Sequence, residues 1–348
     1  MGARILKNRK FAVQILHMPD FRILLQATPC SFKITNYSEL FLIGSCFTEH
    51  ISQKLASHKF NTTTNPFGIV YNPISMAQCL QRLAAGNQPF SESELFENAG
   101  LWHSWEHHGH FSKPDKKETL EGMNAAYYEA AAKLKTCDVL LLTLGTSDVF
   151  TLKETGKVVA NNHKMPGALF APRRLSVSEI VESTLQAFEK VKAARGNSGL
   201  KVILTVSPVR HLRNGLIENQ RSKAALILAC EEICNRLDDA SYFPAYELLL
   251  DDLRDYRFYA ADMIHPSEVA VDYVWQFFSE TYFSDETRRL NDQIGKILAA
   301  AQHRPFHPDT AQHQAFAKAQ LEAIQKLNQE FPGMDFSAEI AVFQKVLS

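Results

Sequence analysis

Three short apolar runs constrain this chain more than any other feature. Phe41-Leu42-Ile43 ends at Gly44-Ser45-Cys46-Phe47, Cys137–Leu144 ends at Gly145-Thr146-Ser147-Asp148, and Lys201–Val206 ends at Ser207-Pro208-Val209. Apolar runs that do not alternate with polar residues are the pattern of parallel strands covered on both faces. Helical periodicity fills the intervals, at Thr48–Phe60, Ile74–Ala85, Asn124–Lys135, Ser176–Ala194, Asn219–Leu237 and Glu268–Thr281. Alternating strands and helices of this kind predict an α/β fold built on a doubly wound parallel sheet. In that fold chemistry gathers at the carboxyl ends of the strands. Each run therefore delivers its closing turn to one edge.

The 348 residues suffice for one large domain or two modest ones. We expect a lead-in over 1–30, an α/β domain over 31–283 and a helical C-terminal extension over 284–348. Residues 1–17 read as an extension, because Met18 is a plausible alternative start. The basic N-terminus is followed by an apolar stretch broken by Gln14, His17 and Asp20, too short and polar for a signal sequence or a membrane span. Lys+Arg 37 against Asp+Glu 38 leaves a net charge of −1. With both signs mixed along the chain, neither nucleic acid nor a membrane is an expected partner. The six cysteines are scattered without a CxxC, which argues against a disulfide framework and for a cytoplasmic location. Cys230 and Cys234 lie one helical turn apart, but no second ligand pair accompanies them, so they are expected to pack in the core.

Residues 86–120 and 151–175 read as loops. The first is rich in Trp and His, as a lid or binding loop is. His107, His108 and His110 fall short of a recognised ligand spacing, and no metal or other cofactor is expected.

Ser45 opens a helix directly after a strand, so it is either a nucleophile at the sheet edge or an N-cap. Asp262 and His265 bear on that choice. Residues three apart in a turn entering a helix can face each other, so the Asp262 carboxylate can accept from His265 Nδ1. That arrangement leaves Nε2 to take a proton from a serine. Asp262 as a helix cap and the pair as metal ligands are the alternatives.

The segments GSCF (44–47), NPFGIVYNP (65–73), TLGTSDVF (143–150), NNHKMP (161–166), SPVRH (207–211) and YFPAYELLLDDLRDYRFYAADMIHPS (242–267) together resemble the GSCFA-domain proteins, within the SGNH (GDSL-like) hydrolases. The resemblance runs from about Ser31 to the C-terminal helices. It implies a flavodoxin-like three-layer α/β/α fold with Ser45 as nucleophile and Asp262 and His265 completing the triad. It also implies Gly68 as an oxyanion donor, with Ser147 where that superfamily carries an asparagine. Asn65 or His163 would compensate for the asparagine. The helical position matching Thr48 is usually alanine in the family.

The activity expected from this resemblance is hydrolysis of a small acyl ester, such as acetyl, on a carbohydrate or other small molecule. Acyl transfer to a sugar hydroxyl, and a non-catalytic carbohydrate-binding protein on the same fold, are the alternatives. A Cys46 thiol activated by the helix terminus is a further one. The acyl group, the acceptor and the oligomeric state are not encoded in any of these motifs.

Overall fold

The computed structural model describes residues 23–196, 199–307 and 309–347. The extension over 1–17 and the alternative start at Met18 lie outside the described residues. The elements run β1 (Glu39–Gly44), α1 (Cys46–Ser57), β2 (Asn61–Thr64), α2 (Pro73–Ala85), β3 (Leu95–Asn98), β4 (Leu101–Ser104) and α3 (Lys116–Thr136). Then come β5 (Val139–Leu144), β6 (Asp148–Leu152), β7 (Val158–Val159), β8 (Phe170–Arg174), α4 (Val177–Ala194), β9 (Lys201–Val206), α5 (Leu216–Arg236) and β10 (Ala240–Phe243). A short α6 (Ala245–Glu247) passes into a π-helical stretch, Leu248–Leu253. Four helices complete the chain: α7 (Glu268–Tyr282), α8 (Asp285–Gln302), α9 (Ala311–Glu330) and α10 (Ser337–Leu347).

Five parallel strands form the central sheet in the order β10-β9-β5-β1-β2. Numbered within the sheet this is 2-1-3-4-5, the flavodoxin order. Its direction reverses between β1 and β5, where the carboxyl ends open a crevice. Strand side chains alternate between two cores, as the pleat requires. Phe41, Ile43, Leu140, Leu142, Val202 and Leu204 face α2–α5, while Leu40, Leu42, Val139, Leu141 and Ile203 face α1 and α7. The architecture is therefore three layers, α/β/α. Each such fully buried side chain contributes about 1.5–3 kcal/mol relative to exposure.

Local chemistry sets the helix starts. Asn72 caps α2 and Pro73 occupies its first turn, while Gly86 ends it in the left-handed conformation. Ser176 and Glu179 form a capping box on α4. The last three helices enclose a separate core around Leu290, Ile294, Ile324, Phe336 and Phe343. That unit is tied to the body by Lys59, whose ammonium meets both Glu339 oxygens at 2.9 and 3.0 Å, and by an Asn36–Asn291 bond of 3.2 Å. Among the described residues no helix is long and apolar enough to cross a membrane.

The two stretches expected as loops are partly ordered strands. β3 and β4 form an antiparallel hairpin within 86–120, and β6, β7 and β8 form a small antiparallel sheet across 151–175. Strands of two to five residues are too short to leave a periodic signal. The hairpin turn, Ala99-Gly100, has φ of 52° and 77°. Alanine is an unusual residue for the first left-handed position, which hid the turn. Helix α3 also begins earlier than expected, capped by Asp115. Strand β10 ends at Phe243 and gives way to α6.

Candidate active site

Ser45 follows β1 directly and caps α1, accepting from the Phe47 N–H at 3.3 Å. Only 2 % of it is exposed. Its hydroxyl donates to Ser207 Oγ at 2.9 Å rather than to His265. Ser207 stands at the end of β9 and also accepts from the Val209 N–H at 3.3 Å. The turn expected at Gly44 is instead the last residue of the strand, without a left-handed φ. Glycine is required there by space: a Cβ would lie 2.3 Å from Thr48 Oγ1 and 2.6 Å from Thr143 O. Thr48, where the resemblance implies alanine, thus sets its hydroxyl against this glycine.

The loop after β2 wraps the same strand end. Asn65 Oδ1 accepts the Gly44 N–H at 2.8 Å, and its own N–H donates to Leu42 O at 2.9 Å. Holding Oδ1 in this way fixes the orientation of the amide. Nδ2 is left buried with no hydrogen-bond partner among the described residues, a costly state for a buried donor. Gly68 differs: its N–H donates to Asn65 O at 2.7 Å, closing a turn. Its φ of 77° and the approach of His108, which would put a Cβ 2.4 Å from His108 Cβ, explain the glycine.

Asp262 and His265 form a compact clasp. Asp262 Oδ1 accepts the N–H groups of Ile264 (2.9 Å) and His265 (3.0 Å), while His265 Nδ1 donates to Oδ2 at 2.6 Å. These bonds from the backbone and the imidazole hold the carboxyl pKa down to about 2. The cap of α7 is Ser267, not Asp262. The clasp is half exposed, at 37 % for the His265 side chain and 46 % for Asp262. Arg210 straps it to the loop that begins at Ser207. Its N–H donates to Ile264 O at 3.2 Å and its guanidinium to Met263 O at 3.0 Å. Burial, and after it the neighbouring imidazole of His265, lower the pKa of His50 on α1. Arg210 thus joins the clasp to the Ser207 loop.

Other expected donors are spent elsewhere. Ser147 is fully buried and turned to α5, its hydroxyl donating to Ser222 O at 3.2 Å. His163 is held by the β3–β4 hairpin, with Nε2 2.8 Å from Ser104 O, and burial first among its causes pushes its pKa down to about 4. His107 packs against Phe67 and Phe90, which also touch each other, while His108 and His110 meet through Nδ1 at 3.2 Å. Among the described residues no three His, Cys, Asp or Glu side chains gather as a metal would need. Cys46 lies beside Tyr71, and burial raises its pKa, so the helix terminus does not make it a thiolate.

Two residues of the site were missed. Ser207 was visible only as a polar residue closing a strand. Lys223 is 1 % exposed, and its ammonium donates to Gly145 O (2.6 Å) and Ser207 O (2.7 Å). It clamps the carboxyl ends of β5 and β9, while burial pushes its pKa down to about 7. Its signal was positional: Lys223 falls on the buried stripe of α5 with Asn219, Leu226, Cys230 and Ile233.

A flavodoxin-ordered sheet with a capped serine at the end of β1, and an Asp–His clasp joined to the loop after β9, define an α/β protein with a candidate site of serine, aspartate and histidine. The GSCFA family model matches residues 39–278, and the model of the GSCFA domain protein C-terminal domain matches 294–348. The chain belongs to the GSCFA family. No curated protein matches it.

Proposed function

We propose that the protein is a serine esterase that removes a small acyl group, such as acetyl, from a carbohydrate or other small molecule. The observation that carries this is the Asp262–His265 clasp, with Nδ1 bound at 2.6 Å so that Nε2 is the free base. In this reading the Ser45 side chain turns from Ser207 to that base when substrate binds. His265 takes the proton as Ser45 Oγ attacks the ester carbonyl, then returns it to the leaving alcohol. Water, deprotonated by the same imidazole, resolves the acyl-enzyme. Asn65 Nδ2 and the Ser45 N–H receive the oxyanion. Gly68 shapes the loop, its own N–H being engaged, and Ser147 and His163 are outside the reaction. Catalytic hydrogen bonds often form only in the substrate complex, which is consistent with the resting Ser45–Ser207 bond.

A fluorophosphonate probe tests this reading. We expect stoichiometric labelling of Ser45 in the wild type and none in Ser45→Ala; a folded, unlabelled wild type sinks it. The low exposure of Ser45 supports a second reading, acyl transfer to a sugar hydroxyl with water excluded. Product analysis with and without an acceptor sugar separates the two. The Ser45–Ser207 bond is also what a non-catalytic binding protein would have, and that reading predicts full function in Ser45→Ala.

A further inference from the structure

A crevice of about 440 Å³ lies beside the candidate site, between β6, β8 and the start of α5. His211 connects the two. It belongs to the loop that begins at Ser207, and its ring stands 6.4 Å from that of Tyr71. The Tyr71 hydroxyl meets Cys46 Sγ, next to Ser45, at 3.9 Å. Asp148, on the crevice wall, follows the Gly145 turn by three residues.

The charges of the wall are unevenly paired. Asp148 is engaged by Arg174 at 2.8 Å, and Glu218 by Arg174 at 3.0 Å and by Arg221. Arg173 pairs with Glu179. Arg213 has no carboxylate partner among the described residues. Its guanidinium lies over the Phe150 ring, 4.4 Å from the centroid. Stacking of this kind holds the planar fork and leaves its N–H edge open, the arrangement suited to two-point capture of a carboxylate or phosphate. Nearby acids are already neutralised and do not compete.

We propose that this crevice is a subsite for an anionic group on the alcohol portion of the ester, held by Arg213, so that the substrate is an acylated acidic sugar or sugar phosphate. The inference rests on the esterase reading. Its test compares kcat/KM for acetylated glucuronate, acetylated glucose 6-phosphate and acetylated glucose in wild type, Arg213→Gln and Arg213→Lys. We expect wild type to prefer one anionic ester, the two anions distinguishing carboxylate from phosphate. That preference should fall about tenfold in Arg213→Gln, through KM, and recover partly in Arg213→Lys. Active enzyme with an unchanged preference overturns the subsite and leaves the esterase reading standing. If wild type turns over none of the esters, fluorophosphonate labelling of Ser45 tells whether the esterase reading itself fails. Calorimetric titration with glucuronate and glucose 6-phosphate then decides: binding lost in Arg213→Gln sustains the subsite, and no binding to wild type overturns it.

Discussion

Ser45 and His265 are held in place by different means. Ser45 is placed by long-range packing: a glycine with no room for a side chain, an asparagine from the next loop, and a serine from β9. His265 is placed by a four-residue loop in which one carboxylate collects two backbone N–H groups and the imidazole. The first arrangement is buried and shares its contacts with the core. The second is half exposed and nearly self-contained. Damage to the clasp should therefore be a matter of chemistry, and damage around Ser45 a matter of both chemistry and stability.

The largest expected effect lies in the clasp. Asp262→Asn keeps the shape but removes the charge that selects the tautomer, and we expect turnover to fall roughly 10³–10⁴-fold with the melting temperature almost unchanged. A large loss of stability would show the loop to be structural. Because Asp262 titrates only near about 2, the clasp is intact above the ordinary aspartate range and is lost as the pH falls toward 2. An acid loss of turnover above that range is then not due to Asp262.

Next comes Asn65→Asp. The variant keeps the acceptor for Gly44 and tolerates the φ of 46°, but it replaces the free Nδ2 donor with an oxygen. The kcat should fall about 10²–10³-fold. Wild-type turnover would remove Asn65 from the oxyanion site.

Gly44→Ala sharpens the packing side of the contrast. Its Cβ meets backbone at 2.6 Å, and overpacking of this kind costs about 1–3 kcal/mol, measured as a lower denaturant midpoint. An unchanged midpoint would mean that the strand end yields more easily than the distances imply.

The smallest effect concerns Lys223→Met. Burial places the folded pKa at about 7 against an ordinary 10.5. Between those values the unfolded chain holds the proton and the folded chain does not, so wild-type stability rises with pH; below about 7 the burial cost is felt in full. The two carbonyl bonds favour the ammonium and narrow that window. Relative to Lys223→Met, wild type should gain stability from about pH 7 upward, by at most about 1.4 kcal/mol per pH unit. Parallel urea curves at pH 6 to 9 check this, and identical slopes would place the charge on Lys223 throughout.

Much of this site was legible because its signals are local. Ser45 was marked by a strand running straight into a helix, and the Asp262–His265 clasp by its spacing. The hairpin of β3 and β4 was not, since four-residue strands and an Ala-Gly turn carry little periodicity. Ser147 and His163 were misplaced because a polar residue in a turn does not reveal which neighbour takes its hydrogen bond. Ser222 takes one and Ser104 the other.

The amino-acid sequence by itself determined the apolar strands, the helix that starts at Ser45 and the local Asp–His clasp, since each depends on residues a few positions apart. Only the tertiary structure decided which donors remain available at the sheet edge. It closed Gly68 into a turn, gave Ser147 to α5, left Asn65 Nδ2 free, and brought Lys223 under two strand ends. The physical reason is that hydrogen-bond satisfaction in a core is settled by groups far apart in the chain, and residue spacing does not carry that information.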